Sequence, residues 1–290
     1  KAFIDDSLSS SVGSATDRLT KIYAGGSVEV AAESVNEVDV ISGNLAVGGT
    51  AGVGGAVGVP IVTKVTDAFI GTEVVVDALG NASGIDVRSG KFDVNSEAFG
   101  IGNDRDVSPV SISRDDVLDE ATGDAAQPDP LRDAELSKKR VVTPQSITGF
   151  TGVAVTALNQ DDIGVYSVGA AGSGTAAVQV SASVNVMTVT TTANIYEGAR
   201  INDSTRTADS EGDDQSVLVA AGNDYQHLGV TGGAGFSGTV GVTPSVDATL
   251  ATIETKAAVG EPAAGSDGTP APLGLSTTVE AQRDVIVSAD

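Results

Sequence analysis

Apolar and polar residues alternate with a period of two along much of this chain. Val28-Glu29-Val30-Ala31-Ala32 places its valines on one side, and the alternation resumes at Val38-Asp39-Val40-Ile41 after a turn near Asn36. This alternation is typical of a β-strand with one buried face. The chain also contains 36 Gly, which weaken helix interiors, whereas its many Val, Ile and Thr favour pleated surfaces. The pattern therefore predicts an all-β protein almost without helix.

A Gly-Thr pair recurs within this pattern at fixed distances from its neighbours. It stands at Gly49-Thr50, Gly174-Thr175 and Gly238-Thr239. A Val-x-Val strand begins 21 residues before each copy, at positions 28, 153 and 217, and a Thr-x-Ala-x-Ile/Val element begins 17 residues after it, at positions 66, 191 and 255. Three copies that agree at three anchor points predict an internal repeat.

The repeat predicts an elongated β-solenoid. Opening strands are read at positions 28, 85, 153, 217 and 285, which gives a unit of ~64 residues. The anchors divide each unit into three parts, and about 20 residues suffice for one coil of three short strands. We therefore expect a parallel β-solenoid (β-helix) of stacked ~21-residue coils, three to each ~64-residue repeat. A row of β-sandwich domains, one to each repeat, is the alternative architecture.

The repeat divides the chain into three segments. Residues 1–100 and 146–290 carry it, and we expect them to form the coils of one continuous rod. Residues 101–145 are rich in charged residues and lack the Gly-Thr pair, which predicts an inserted acidic loop or a short helical excursion. Because residues 1–4 resemble the interior of the repeat and residues 284–289 resemble its opening strand, we interpret the chain as a fragment of a longer polypeptide.

Composition limits the core and the partners. Only 6 Phe, 4 Tyr and 1 Met are present, without Trp, so small and β-branched side chains must fill any core. The net charge of −23 and the lack of a basic stripe argue against nucleic-acid binding. No apolar run is long enough for a membrane-spanning helix, and we predict none.

Two acidic pairs are candidate sites. Asp161-Asp162 is interpreted as a solvated turn, because neighbouring residues of a strand point to opposite faces and would not converge for catalysis. Asp213-Asp214, preceded by Asp209 and Glu211, offers oxygen ligands for Ca²⁺, although no EF-hand loop is present. Calcium is thus the one cofactor left open.

Other candidates carry no recognisable motif. His227, the one histidine, is interpreted as a surface or turn residue. Thr188, Thr190 and Thr192 share a face, but an ice-binding row would have to repeat in successive coils, and none is predicted here. The sequence therefore predicts no catalytic, cofactor-binding or metal-binding residue, and we expect the protein not to be an enzyme.

Two stretches resemble a known group of proteins. Residues 152–202, beginning GVAVTALNQDDIGVYSVG, and residues 215–260, beginning QSVLVAAGNDYQHLGVTG, resemble the repeats of large secreted bacterial adhesins of the leukotoxin and filamentous-haemagglutinin-like kind. The similarity covers roughly residues 25–95 and 148–290, and residues 100–145 depart from it. The resemblance implies a right-handed β-helix in a giant exported surface or fibre protein.

The expected function follows from this resemblance and from the missing catalytic motifs. We expect a structural or adhesive, non-catalytic segment that is extracellular or at the cell surface. Its expected partners are further copies stacked end to end or the continuation of its own polypeptide, together with host or matrix polysaccharides or proteins. The alternative is a carbohydrate-active enzyme, a polysaccharide lyase or hydrolase, on a β-helix.

Overall fold

The computed structural model describes residues 1–5, 20–96, 140–204, 211–262 and 274–290, and every regular element in these ranges is a β-strand. The strands are β1 (Ala2–Ile4), β2 (Lys21–Ala24), β3 (Val28–Gly48), β4 (Ala51–Gly58), β5 (Ile61–Ile70), β6 (Val75–Ala78), β7 (Ile85–Ser96), β8 (Arg140–Phe150), β9 (Gly152–Ser173), β10 (Ala176–Tyr196), β11 (Arg200–Ile201), β12 (Ser216–Ser237), β13 (Val240–Val242), β14 (Ser245–Glu261), β15 (Thr278–Val279) and β16 (Val285–Ala289). The all-β prediction is confirmed for these residues.

The chain divides into two compact units. The main unit comprises Lys1–Lys91 and Ser146–Asp290, and the small unit comprises Phe92–Gln145. Within the described part of the small unit, Gln145 donates a hydrogen bond to Asp93. The predicted insertion at 101–145 lies mostly outside the described residues and stays a prediction.

Three parallel sheets build the main unit. Sheet 1 has the order β16-β12-β9-β3, and sheet 3 has the order β15-β11-β6-β2. In sheet 2, β10 pairs with β4 and β5 on one side and with β13 and β14 on the other, and β1 pairs with β5. The chain passes through sheets 1, 2 and 3 in turn and then returns to sheet 1. We call each such passage a circuit: β3–β6, β9–β11 and β12–β15 are the three circuits.

Equivalent repeat positions pair directly in these sheets. Val153 pairs with Val28 on one side and with Val217 on the other, and Val217 pairs in turn with Val285. Thr191 likewise pairs with Thr66 and Thr255. The Gly-Thr corners also stack, since the amide of Gly174 donates to the carbonyl of Gly49 at 2.9 Å. The repeat equivalences predicted at these positions are confirmed.

The predicted coil length of ~21 residues is wrong. Val153 and Val217 are direct partners although 64 residues separate them, so the chain needs a whole repeat to return to the same sheet. The three anchors of a repeat do not stack on one another: the Val-x-Val strand lies in sheet 1, whereas the Gly-Thr pair leads into sheet 2, which also contains the Thr-x-Ala-x-Ile/Val element. Pairing between repeats also excludes the row of separate β-sandwich domains. The arrangement is all-β with parallel strands in stacked sheets, which is compatible with a β-helix.

The predicted opening strand at position 85 is also wrong. Ile85 begins β7, which pairs with β8 in a two-stranded sheet and is no member of sheet 1. The first and second circuits are therefore 125 residues apart, as the hydrogen bond from the Gly152 amide to Ser27 shows. Val87 and Phe150 pack on Ala154 and Leu218, on the outer face of sheet 1.

Small and β-branched side chains fill the main core, which lies where all three sheets meet. Residues such as Val155, Ala193, Ile195 and Ile201 are fully buried there, in agreement with the composition. Beyond this core, sheets 1 and 2 face each other directly. Gly52 of β4 lies so close to Gly172 of β9 that an added Cβ would stand 2.5 Å from the Gly172 carbonyl oxygen.

Candidate functional site

Polar side chains replace the apolar core where sheets 1 and 2 face each other. The inward positions of β9 run Val153, Val155 and Ala157, and the same alternation then brings Asn159 and Asp161 inward before Ile163 continues the apolar row. We call the set of inward polar residues at this level the polar interior cluster. It consists of Lys64, Asn159, Asp161, Asn185, Asn223, Tyr225 and His227.

An ion pair joins the two sheets within this cluster. Lys64 Nζ of β5 lies 2.9 Å from Asp161 Oδ1 of β9, and the side chains are only 13% and 0% exposed. Lys64 also donates to the carbonyl oxygen of Ser34 at 3.4 Å. Withdrawing two charges from water costs several kcal/mol each, so a buried pair is stable only when further hydrogen bonds satisfy it. Asp161 receives such a bond from Asn159.

Asn159 donates a hydrogen bond to the second oxygen of the Asp161 carboxylate. Its Nδ2 donates to Asp161 Oδ2 at 2.5 Å and to Asn223 Oδ1 at 2.6 Å. Both hydrogens of the amide are therefore used, whereas its buried Oδ1 has no hydrogen-bond partner among the described residues. Asp161 thus links an amine and an amide through its two oxygens.

A second group of contacts surrounds Tyr225. Asn185 Nδ2 donates to the Tyr225 hydroxyl at 2.8 Å and lies 3.2 Å from His227 Nδ1. His227 Nε2 lies 3.7 Å from an oxygen of Asp247, which is beyond hydrogen-bonding distance. Burial has the largest effect on the pKa of Tyr225 and raises it. The charges of Asp161 and Asp247 raise this pKa further, while the hydrogen bond from Asn185 lowers it.

Two interpretations of single residues are corrected by this geometry. Asp161 is no solvated turn, since it is fully buried in the middle of β9 and ion-paired. Asp162 does lie on the opposite face of the strand, as predicted for neighbouring residues. His227 is no surface or turn residue either, because it lies within β12 with its side chain 11% exposed.

The row of three threonines on β10 is not repeated in the neighbouring strands, as expected. Of the three, only Thr188 has threonine partners on both sides, Thr63 and Thr252. Thr190, two residues further, pairs with Val65 and Glu254. The repeated row is therefore one residue wide.

Two of the four candidate calcium ligands engage basic or amide side chains. Asp214 lies 3.2 Å from Arg283, and Glu211 accepts a hydrogen bond from Gln282. Asp209 lies outside the described residues. Within the described ranges, no group of three His, Asp or Glu residues is placed to hold a metal ion. Calcium binding stays a hypothesis.

One open groove lies on the outer face of sheet 1. Its lining contains no titratable side chain and consists of Gly43, Asn44, Leu45, Val168, Gly169 and Ala170. The groove therefore offers no general acid or base to a substrate.

Comparison of the chain with protein-family models, with curated proteins and with solved structures gives no match. In the described part of the chain, no helix is long and apolar enough to cross a membrane.

Sequence reasoning missed Lys64, Asn159, Asn185, Asn223 and Tyr225. A signal for the residues of β9 was present, since counting in twos from Val153 places Asn159 and Asp161 on the buried face. No such count identifies Lys64 as their partner, because that contact depends on which sheets face each other.

Proposed function

We propose that this chain is a structural and adhesive, non-catalytic segment of a right-handed β-solenoid in an extracellular or cell-surface protein. Stacked repeats support the proposal: equivalent positions of three circuits pair in register over strands of 21 or 22 residues. Such stacking buries an inner face that no circuit could bury alone. The resemblance to adhesin repeats supports the extracellular role.

Long open strand edges are the observation that carries the proposal. In the described structure, β3 pairs with β9 alone and β14 pairs with β10 alone. Strands of 21 and 17 residues therefore present unused backbone donors and acceptors at opposite sides of the stack. Open edges of this kind recruit further strands. We infer that they are covered by continuation of the same polypeptide or by end-to-end stacking of copies.

An exposed apolar face supports adhesion. Outward side chains of sheet 2 include Val53 at 74%, Ile61 at 71% and Leu250 at 66% exposure. Each belongs to a different strand, β4, β5 and β14, so the face extends across the sheet. Extended apolar surface is a common mark of an interaction site. Host or matrix polysaccharide or protein is the proposed ligand class.

Electron microscopy and sedimentation velocity at low and high ionic strength test the assembly. We expect extended particles longer than one chain, which associate laterally as salt screens the net charge of −23. Discrete single-chain particles at every salt concentration would contradict the proposal. Cleavage of an acidic polysaccharide by the purified chain would instead favour the carbohydrate-active enzyme.

A further inference from the structure

We propose that Lys64 and Asn159 form an intramolecular isopeptide bond, with Asp161 as the catalytic residue. The observation is the arrangement of three side chains: Asp161 accepts from Lys64 Nζ through one oxygen and from Asn159 Nδ2 through the other. A nucleophilic amine, a carboxamide and a carboxylate that contacts both are the groups this reaction needs. The inference is independent of the proposed adhesive function.

The reaction is balanced without any co-reactant. Lys64 Nζ transfers a proton to Asp161 and attacks Cγ of Asn159, which forms a C–N bond. The bond between Cγ and Nδ2 breaks, and Asp161 passes the protons released by Nζ to Nδ2, which leaves as ammonium. Asp161 ends ionised as it began, and one secondary amide replaces one ammonium and one primary amide. No electrons are exchanged with a second molecule.

The surroundings exclude water and hold the reacting groups in place. Lys64 is 13% exposed and Asp161 is fully buried, so little water competes for either group. Asn223 accepts the second hydrogen of Asn159 Nδ2 and so fixes the amide against Asp161. Holding the reacting groups together in one geometry makes an otherwise slow bimolecular step intramolecular. The buried Oδ1 of Asn159 has no hydrogen-bond partner among the described residues, so no hydrogen bond holds this carbonyl in its starting position.

The bond would join two circuits covalently. Lys64 belongs to β5 in the first circuit, and Asn159 belongs to β9 in the second. The segment between them includes β7, β8 and the residues of the predicted insertion. A cross-link here would therefore hold neighbouring circuits together across the part of the chain that interrupts the repeat.

Intact-mass spectrometry of the denatured wild-type chain tests the proposal directly. The expected mass is lower than the sequence mass by one ammonia, and digestion should yield one branched peptide that joins Lys64 to Asn159. Lys64→Arg and Asn159→Ala should each restore the full mass expected for the variant. Lys256→Arg is the matched control, because this lysine also contacts a carboxylate but is 41% exposed, and it should retain the ammonia loss.

Asp161→Asn separates catalysis from mere proximity. It keeps Lys64 and Asn159 but removes the proton acceptor, so we expect the full mass in a chain whose circular dichroism is still that of a β-protein. If a variant fails to fold, the intact mass of the wild-type chain still decides whether the bond forms. A folded wild-type chain at full sequence mass after prolonged incubation would overturn the proposal. So would an ammonia loss that persists in Lys64→Arg, or a loss of water, which would make Asp161 the electrophile.

Discussion

Gly52 of β4 faces Gly172 of β9 at a distance that leaves no room for a methyl group. A Cβ on Gly52 would stand 2.5 Å from the carbonyl oxygen of Gly172, and backbone cannot move aside as a flexible side chain can. Gly55, three residues along the same strand, points outward, and its nearest neighbour would be 3.9 Å away. The approach of sheets 1 and 2 therefore depends on glycine at inward positions.

Gly52→Ala should destabilise the fold by about 1–3 kcal/mol, because the added methyl overpacks the space between the sheets. Gly55→Ala is the matched control and should be neutral or slightly stabilising, since alanine restricts the unfolded chain without meeting a neighbour. Urea unfolding of both variants measures the difference. Equal effects of the two substitutions would contradict the close approach of the sheets.

Glu29 should make stability depend on pH. Partial burial, and then the charge of Glu33, raise the pKa of Glu29, while Arg88 lowers it. Because the folded-state pKa is the higher one, Glu29 contributes stability that is fully present below its ordinary pKa. That contribution is lost as the pH rises through the folded-state value.

Glu29→Gln should therefore gain stability relative to wild type as the pH rises from acid to neutral. Unfolding free energies over this range give the measurement. Glu37→Gln removes one negative charge from the same face of β3 and serves as the control. A constant difference between Glu29→Gln and wild type at all pH values would exclude this role for Glu29.

Tyr225→Phe should act in two ways. At neutral pH it removes an acceptor of the buried Asn185 amide, which should cost about 0.5–1.5 kcal/mol. Because the pKa of Tyr225 is raised in the fold, wild type should lose stability as the pH rises beyond about 10, and the variant should lose less, since Tyr166 and Tyr196, whose pKa values are also raised, remain. Unfolding free energies at neutral and alkaline pH measure both effects. If the unfolding free energies of wild type and variant change in parallel at alkaline pH, ionisation of Tyr225 does not destabilise the fold.

The sequence predicted which positions stack, because neighbouring strands of a parallel sheet place equivalent side chains side by side. Val28, Val153 and Val217 are such a row, and so are Gly49, Gly174 and Gly238. Coil length could not be read in the same way. The spacing of anchors within a repeat does not tell whether its parts stack on one another or follow one another along different sheets.

The remaining misses have local causes. The alternation at Ile85 matches that of the opening strand, yet β7 pairs with β8. A period of two residues predicts that a strand forms, but it does not predict which strand will be its neighbour. Asp161 could have been placed inward from the alternation of β9. Its ion pair with Lys64 could not have been predicted, because the two residues belong to different sheets, and the whole fold decides which sheets face each other.

Disulfide trapping tests the stacking of circuits most directly, since the sequence contains no cysteine. Thr188 and Thr252 are exposed direct partners on β10 and β14, so their cysteine variants should be close enough to bridge within one chain. Thr63 pairs with Thr188 on the other side of β10, which puts Thr63 and Thr252 two strands apart.

We predict that Thr188→Cys/Thr252→Cys forms an intramolecular disulfide on mild oxidation. Thr63→Cys/Thr252→Cys should not form one, because two strand spacings of roughly 4.8 Å each together exceed the reach of a disulfide. A coil of ~21 residues would instead bring position 231 beside position 252. A bridge in Thr231→Cys/Thr252→Cys, together with none between positions 188 and 252, would contradict the one-circuit repeat.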